Sequence, residues 1–310
     1  QQRALRQDAG DDGDPGIPMS YRPPITEQRF VLQHIAGIYE LLNEPELIDA
    51  VLQGVGRFAA SEWAPLRRIG DTRGAKWTPH GVLMPEGYPA AYKAYVDGGW
   101  GTIGAPQEFG GQGLPFSLAS AVLESLGTAD VALALCPTLT AGAVEVLKHY
   151  GTPEQQSLYL PKLVTGSWTG TMNLTEPQAG SDVGALRTRA ERRADGTWLI
   201  SGQKIFISFG DHDLAENIIH LVLARTPDAP PGTKGISLFL VPKFRLNPDG
   251  SIGPENDVPV ISIRQKLGLH ASPTCALSFG ESGSCVGELV GQVLGGMRVM
   301  FSNMKNATLY

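Results

Sequence analysis

Eight residues, Thr175-Glu176-Pro177-Gln178-Ala179-Gly180-Ser181-Asp182, carry the densest set of chemically useful groups in the chain. Two hydroxyls, exposed amides and little side-chain bulk suit a surface on which a flat polar ligand can lie. Fixed donors of this kind also stabilise negative charge that develops during a reaction. Taken alone the same residues make an ordinary turn, with Thr175 and Ser181 satisfying turn amides. A second group, Asp211-His212-Asp213 with Glu216 and His220 nearby, has metal-binding residue types. Three adjacent residues on a loop seldom converge on one ion without a fixed outer shell. A solvated loop or a helix N-terminus is therefore expected there. Gly110-Gly111-Gln112-Gly113 does not follow a strand, as a dinucleotide fingerprint would require, and reads as a turn between helices. His34, His80 and His149 have no partner spacing. Arg187, Arg189, Arg192 and Arg193 sit beside a hairpin and read as a solvated strand edge.

The elements that must position these groups change character along the chain. Residues 1–20, rich in Gln, Asp and Gly, read as a disordered leader. From Ile25 onward apolar residues recur at helical spacing, first at Phe30, Val31, Ile35, Ile38, Leu41 and Leu42, then at Leu47, Ile48, Val51, Leu52, Val55 and Phe58. Further helices are expected over 89–97, 117–135 and 140–150. Thr152-Pro153-Glu154-Gln155 reads as an N-cap, a proline at the first helical position and a capping-box partner. Beyond Pro161 the period drops to two. Trp168–Leu174, Thr188–Arg193, Thr197–Ile207, Ile218–Arg225 and Ile236–Val241 read as strands. Asp195-Gly196 predicts a two-residue hairpin turn, and a long loop is expected near 245–257. From about Gly287 the spacing of Val293, Met297, Met300, Phe301 and Met304 turns helical again.

Composition narrows the function. At 310 residues the chain is long enough for two domains, and 42% hydrophobic with 18% charged residues is globular. A net charge of −6 offers no broad basic footprint, which argues against nucleic acid as a partner. Cys136, Cys275 and Cys285 lack CxxC spacing, and an odd count suits a reducing compartment. With no run of about 18 apolar residues and no charged-then-apolar leader, neither a membrane span nor a signal peptide is visible. A cytoplasmic location is expected.

Four segments in order carry a family resemblance: Pro106-x-Glu108-x-Gly110-Gly111-x-Gly113, the Thr175–Asp182 loop, Gly202-x-Lys204-x-Phe206-Ile207-Ser208, and Lys266-Leu267-Gly268-x-x-x-Ser272. Together they resemble the acyl-CoA dehydrogenases over about residues 25–310. The wording Lys266–Thr274 is most similar to the large-subunit branch, which holds 3-methylmercaptopropionyl-CoA and long-chain acyl-CoA dehydrogenases. The resemblance implies an α+β architecture. An N-terminal helical domain would cover 21–165, a middle β-barrel-like domain 166–286, and the start of a C-terminal helical bundle 287–310. It implies FAD as cofactor, with Met172, Leu174 and Thr175 along the isoalloxazine, Gly180 in the loop, and Phe206, Ile207 and Ser208 flanking the ring. Ser181 would face the acyl-CoA. Relatives usually carry Trp and Thr where this chain has Phe206 and Ser208, and commonly Arg where it has Thr308.

The implied reaction is α,β-dehydrogenation of an acyl-CoA thioester to the trans-2-enoyl-CoA, with hydride passing to flavin N5. An electron-transfer flavoprotein is the implied acceptor. The family's base is a Glu of the C-terminal helical domain, and no residue up to 310 matches it, so the catalytic residue is unknown and a truncated chain is expected. A homo-oligomer or a complementing C-terminal portion should cover the apolar face of the last helix. Two other classes stay open: a non-catalytic or degenerate flavin-binding subunit that needs a partner chain, and a flavin-dependent oxygenase or alkylation-response relative.

Overall fold

The computed structural model describes residues 21–301. The expected leader and the Thr308 position lie outside the described residues. Helices come first. Pro45–Phe58 starts with proline in its first turn and turns Ile48, Leu52 and Val55 inward, where each is fully buried. Tyr88–Asp97, Phe116–Ala129, Val131–Tyr150 and Pro153–Thr165 follow. Their core is unusually aromatic, with Trp63, Tyr88 and Tyr92 buried together among Leu52, Leu118 and Leu133. The capping box at Thr152 forms as expected, with Thr152 Oγ1 accepting the Gln155 amide and the Gln155 side chain accepting the Thr152 amide.

One expected break is absent. The helix Val131–Tyr150 runs through Pro137, and the helix before it ends at Ala129 rather than 135. Asp130 makes the boundary: its Oδ1 accepts the Leu133 amide as an N-cap. This 20-residue helix is long and apolar enough to cross a membrane by length and composition, a point the sequence pattern did not show. It is mostly buried inside the protein, as the core helix of a globular domain would be.

Eight strands then form one curled sheet. Their order is Val260–Ile263, Thr274–Phe279, Trp198–Ser208, Val286–Val290, Ser237–Pro242, Asn217–Ala224 and Trp168–Asn173, with Arg189–Arg192 also paired to Trp198–Ser208. Every pairing is antiparallel except Trp168–Asn173 with Asn217–Ala224. All residues of Asn217–Ala224 and Ser237–Pro242 are buried, because helices cover one face and the curl of the sheet covers the other. The 11-residue strand Trp198–Ser208 serves both ends of the curl. It turns at Gly202, where φ is 153° and an added Cβ would lie 2.4 Å from Thr188 Oγ1.

Three further differences from the sequence reading have local causes. The hairpin loop at Asp195-Gly196 is three residues, because the Arg193 amide reaches the Thr197 carbonyl and Gly196 takes φ 86°. The expected long loop near 245–257 is a hairpin, Phe244–Leu246 with Ile252–Glu255, turned at Asn247–Gly250. The strand Val286–Val290 occupies the expected start of the helical spacing, at about Gly287, and helix resumes only at Gly296.

Candidate functional site

Alternation along Trp168–Asn173 sorts its side chains onto two faces. Thr169, Thr171 and Asn173 point into the curl, where the Thr169 hydroxyl meets His212 Nε2 at 3.0 Å and the Thr171 hydroxyl meets His220 Nδ1 at 2.8 Å. Because His212 Nδ1 accepts the Leu214 amide, its proton resides on Nε2. Burial, and then the nearby Lys243 ammonium, push both imidazoles down to about 3, so both stay neutral. The opposite face is offered by Gly170 and Met172. Gly170 lies against the helix Val131–Tyr150, and its amide donates to Thr140 Oγ1 at 3.1 Å.

After Leu174 the chain leaves the sheet and folds back on itself. Glu176 and Ala179 exchange backbone hydrogen bonds of 2.9 and 3.0 Å, closing a tight loop. The Glu176 carboxylate, 3% exposed, accepts from the Gln178 side chain, the Arg187 and Thr188 amides, the Thr188 hydroxyl and the Lys204 ammonium. Burial alone would raise its pKa. The Lys204 charge and these hydrogen bonds outweigh burial and bring it down to about 2. Thr175, between the two anchored residues, is half-buried. Its carbonyl accepts the Ile205 amide at 2.9 Å, while its hydroxyl and its own amide have no hydrogen-bond partner among the described residues. Gly180 follows, and a Cβ added there would meet only Thr175 Cγ2 within 4 Å, so the space above Thr175 is open. Ser181 is exposed at its rim.

The second wall comes from the end of Trp198–Ser208. Lys204 pairs with Leu277 and Ile207 with Cys275, so three steps on this strand face two on its partner. That is a bulge, and bulges re-aim side chains. Phe206 sits in it at φ 60°, a conformation a bulky residue adopts only under constraint, and its ring is 54% exposed. The Arg264 guanidinium lies 5.1 Å from the ring centroid. Ile207 points the other way, 2% exposed in the core with Cys275 and Leu277, so only its main chain borders the open face. Ser208 is half-buried where the strand pairs with Thr274.

Next to the strand, a cavity of about 330 Å³ opens in the helical layer. Its lining includes Tyr95, Trp100, Ile103, Thr140, Val144 and Leu163. Thr140 is common to the cavity and to the hydrogen bond that holds Gly170.

Asp211 and His212 are buried, unlike the solvated loop expected from their types. Asp211 accepts the Val82 amide and pairs with Lys243, and Asp213 accepts the Met84 amide. The loop thus fastens the hairpin Lys76–Leu83 to the sheet, a tertiary role between residues about 130 apart that spacing alone does not reveal. Gly110–Gly113 is a turn leading into Phe116–Ala129, where an added Cβ on Gly111 would lie 2.0 Å from the Ala105 carbonyl oxygen. The three cysteines are free and buried.

Sequence reasoning passed over His270. Its Nδ1 lies 2.7 Å from the Asp71 carbonyl and its Nε2 2.9 Å from the Lys266 carbonyl. Both partners only accept, so the imidazolium alone satisfies both. These carbonyls, with the Asp71 carboxylate, raise its pKa against a smaller cost of burial; Arg73, Arg264 and Lys266 line the same pocket. A raised folded-state pKa gives a contribution fully present below about pH 6.5 and lost as pH rises through the folded value. Thermal melts between pH 6 and 9 should therefore show a decline that His270→Gln lacks; identical slopes in the two proteins would refute the latch.

The helices and the curled sheet form two layers, with the open polar loop at the edge of the sheet. Residues 46–167 match the acyl-CoA dehydrogenase N-terminal domain and residues 171–282 the acyl-CoA dehydrogenase middle domain. The chain belongs to the acyl-CoA dehydrogenase family and carries those two domains. It is 45% identical over 296 residues to the 3-methylmercaptopropionyl-CoA dehydrogenase of Ruegeria pomeroyi, covering 93% of this chain and 50% of the relative. It is 38% identical to the broad-specificity linear acyl-CoA dehydrogenase FadE5 of Mycobacterium tuberculosis, covering 93% and 49%. The chain spans about half the length of these curated relatives. Among solved structures, a glutaryl-CoA dehydrogenase bound to glutaryl-CoA superposes with a TM-score of 0.65 at 26% identity, covering 84% of this chain and 60% of that one. The butyryl-CoA dehydrogenase of Megasphaera elsdenii shares the fold, with a TM-score of 0.68, 22% identity and coverage of 84% and 62%.

Proposed function

We propose that this chain is the flavin-holding part of a cytoplasmic acyl-CoA dehydrogenase that introduces a trans-2 double bond into an acyl-CoA thioester. The observation that carries this reading is the Thr175 hydroxyl and amide, without a hydrogen-bond partner among the described residues, set beside the exposed Phe206 and under the open space at Gly180. This donor set fits the edge of an isoalloxazine. Met172, Leu174 and Thr175 would line one side of FAD, and Phe206, the main chain of Ile207, and Ser208 the other. When bound, FAD supplies the hydride acceptor. The Thr175 hydroxyl and amide would supply donors to the ring edge that gains negative charge, and being fixed beforehand they would need no reorganisation. Ser181 stands at the rim on the side proposed for the thioester. The 330 Å³ cavity beside Thr140 would take the acyl tail and exclude water from it.

Glu176 is the carboxylate nearest in sequence to this face, but it is no candidate for the α-proton. Five donors occupy it, and a carboxyl held to about 2 is a poor base near neutral pH. The base is assigned to the part of the protein matching the relatives' other half. That part, or a second copy of the chain, would also cover the exposed Phe301 at the start of the last helix, and an electron-transfer flavoprotein would reoxidise the cofactor.

Two measurements test this. In the full protein, anaerobic addition of a short acyl-CoA should bleach the visible flavin absorbance; a flavin that stays oxidised with every acyl-CoA offered would remove the dehydrogenase reading. Thr175→Val should weaken FAD binding about tenfold by fluorescence quenching, the loss of the one charge-directed hydrogen bond from its hydroxyl. Unchanged affinity would remove Thr175 from the cofactor site.

A further inference from the structure

We propose that Glu176 and Lys204 act as a positioning pair that sets the spacing between the two walls of the flavin face. The inference rests on the flavin reading above and assigns these residues a role that the resemblance does not imply. Lys204 is 0% exposed and lies on the same strand as Phe206 and Ser208. Its ammonium donates to the Leu174 carbonyl at 2.9 Å and to Glu176 Oε1 at 2.8 Å. The residue between those two acceptors is Thr175. Its carbonyl takes the amide of Ile205, next to Lys204. Three consecutive residues of the loop are thus fixed to two consecutive residues of the strand. Among the described residues, no other side chain hydrogen-bonds residues 174–182 to residues 198–208.

The rest of the Glu176 carboxylate extends the clamp to a third segment, through the Arg187 and Thr188 amides and the Thr188 hydroxyl. A buried ion pair contributes little net stability compared with an apolar replacement of similar size. Stability therefore gives no strong reason for an ammonium here. Directionality does: a lysine can reach one carbonyl and one carboxylate at once, and an apolar side chain would leave the single backbone bond from Ile205 to Thr175 to hold the loop against sliding. The sliding coordinate is the distance from the Thr175 donors to the bulge at Phe206.

The test separates positioning from folding. Lys204→Met, Glu176→Gln and the double variant are compared by thermal melting of the flavin-free protein and by FAD titration through fluorescence quenching. Each single variant leaves one buried group uncompensated and should melt lower and bind FAD less tightly. The double variant removes both buried charges and should melt above either single variant, yet bind FAD about tenfold more weakly than the parent. Parent-like FAD affinity in the double variant would overturn the positioning role and leave the flavin site standing. If the parent protein itself takes up no FAD, the flavin reading fails and this inference fails with it. Should the double variant not fold, Thr188→Val carries the test, since it removes one hydrogen bond to Glu176 and keeps both charges. It should weaken FAD about threefold with little change in melting, and an unchanged affinity would again overturn the proposal.

Discussion

Gly170→Val is expected to lower stability by about 3 kcal/mol, at the upper end of the cost of overpacking a close contact. A Cβ at this position would lie 2.4 Å from the Ala143 Cβ and 3.6 Å from the Thr140 Cα. Neither neighbour is the tip of a flexible side chain, so the strand and the helix must move apart. The movement would also stretch the bond from the Gly170 amide to Thr140 Oγ1. For a protein of this size the melting temperature should fall by about 6–12 °C. Combining Gly170→Ala with Ala143→Gly should recover most of what Gly170→Ala loses, because the only approach below ordinary contact distance is to the Ala143 Cβ. A valine variant that melts with the parent would mean that the strand is not seated on the helix as described.

Asp130→Ala should cost about 2–4 kcal/mol, because it removes an N-cap and strands a buried hydroxyl together. Asp130 is 1% exposed. One carboxylate oxygen accepts the Leu133 amide at the start of the 20-residue helix, and the other accepts the Tyr88 hydroxyl at 2.5 Å. Burial raises this carboxyl's pKa, against the hydrogen bonds that favour its charged form. In a double-mutant cycle, Tyr88→Phe should cost much less in the Asp130→Ala background than in the parent. Additive costs by chemical denaturation would show that the two groups do not act together.

Much of the sheet was legible in the sequence because its determinants are local. Alternation at Trp168–Asn173 and Trp198–Ser208 and the Asp195-Gly196 turn sit within a few residues of what they specify. The helix through Pro137 was not, since proline usually ends a helix and only packing of Val131–Tyr150 between the layers offsets the missing amide. The bulge was also hidden. Register belongs to two strands at once, and nothing in Gly202–Ser208 states what Thr274–Phe279 will pair with. The same holds for Asp211, whose partners Val82 and Lys243 come from distant segments. The loop Thr175–Asp182 could be placed by its residue types, but the reason it holds its shape, five donors on Glu176, emerges only when Arg187, Thr188 and Lys204 are brought to it.

The cavity and the open polar loop draw on different stretches of the polypeptide. Every residue lining the cavity falls between Tyr92 and Gly166, whereas Met172 through Arg264 build the loop and its walls. Thr140 and Ala143 meet Gly170 between the two, and Val144, Leu163 and Val164 of the cavity share one core with Met172, Leu174 and Ala179 of the loop side. Substitutions that reshape one compartment therefore reach the other through that shared core, and their effects should not add.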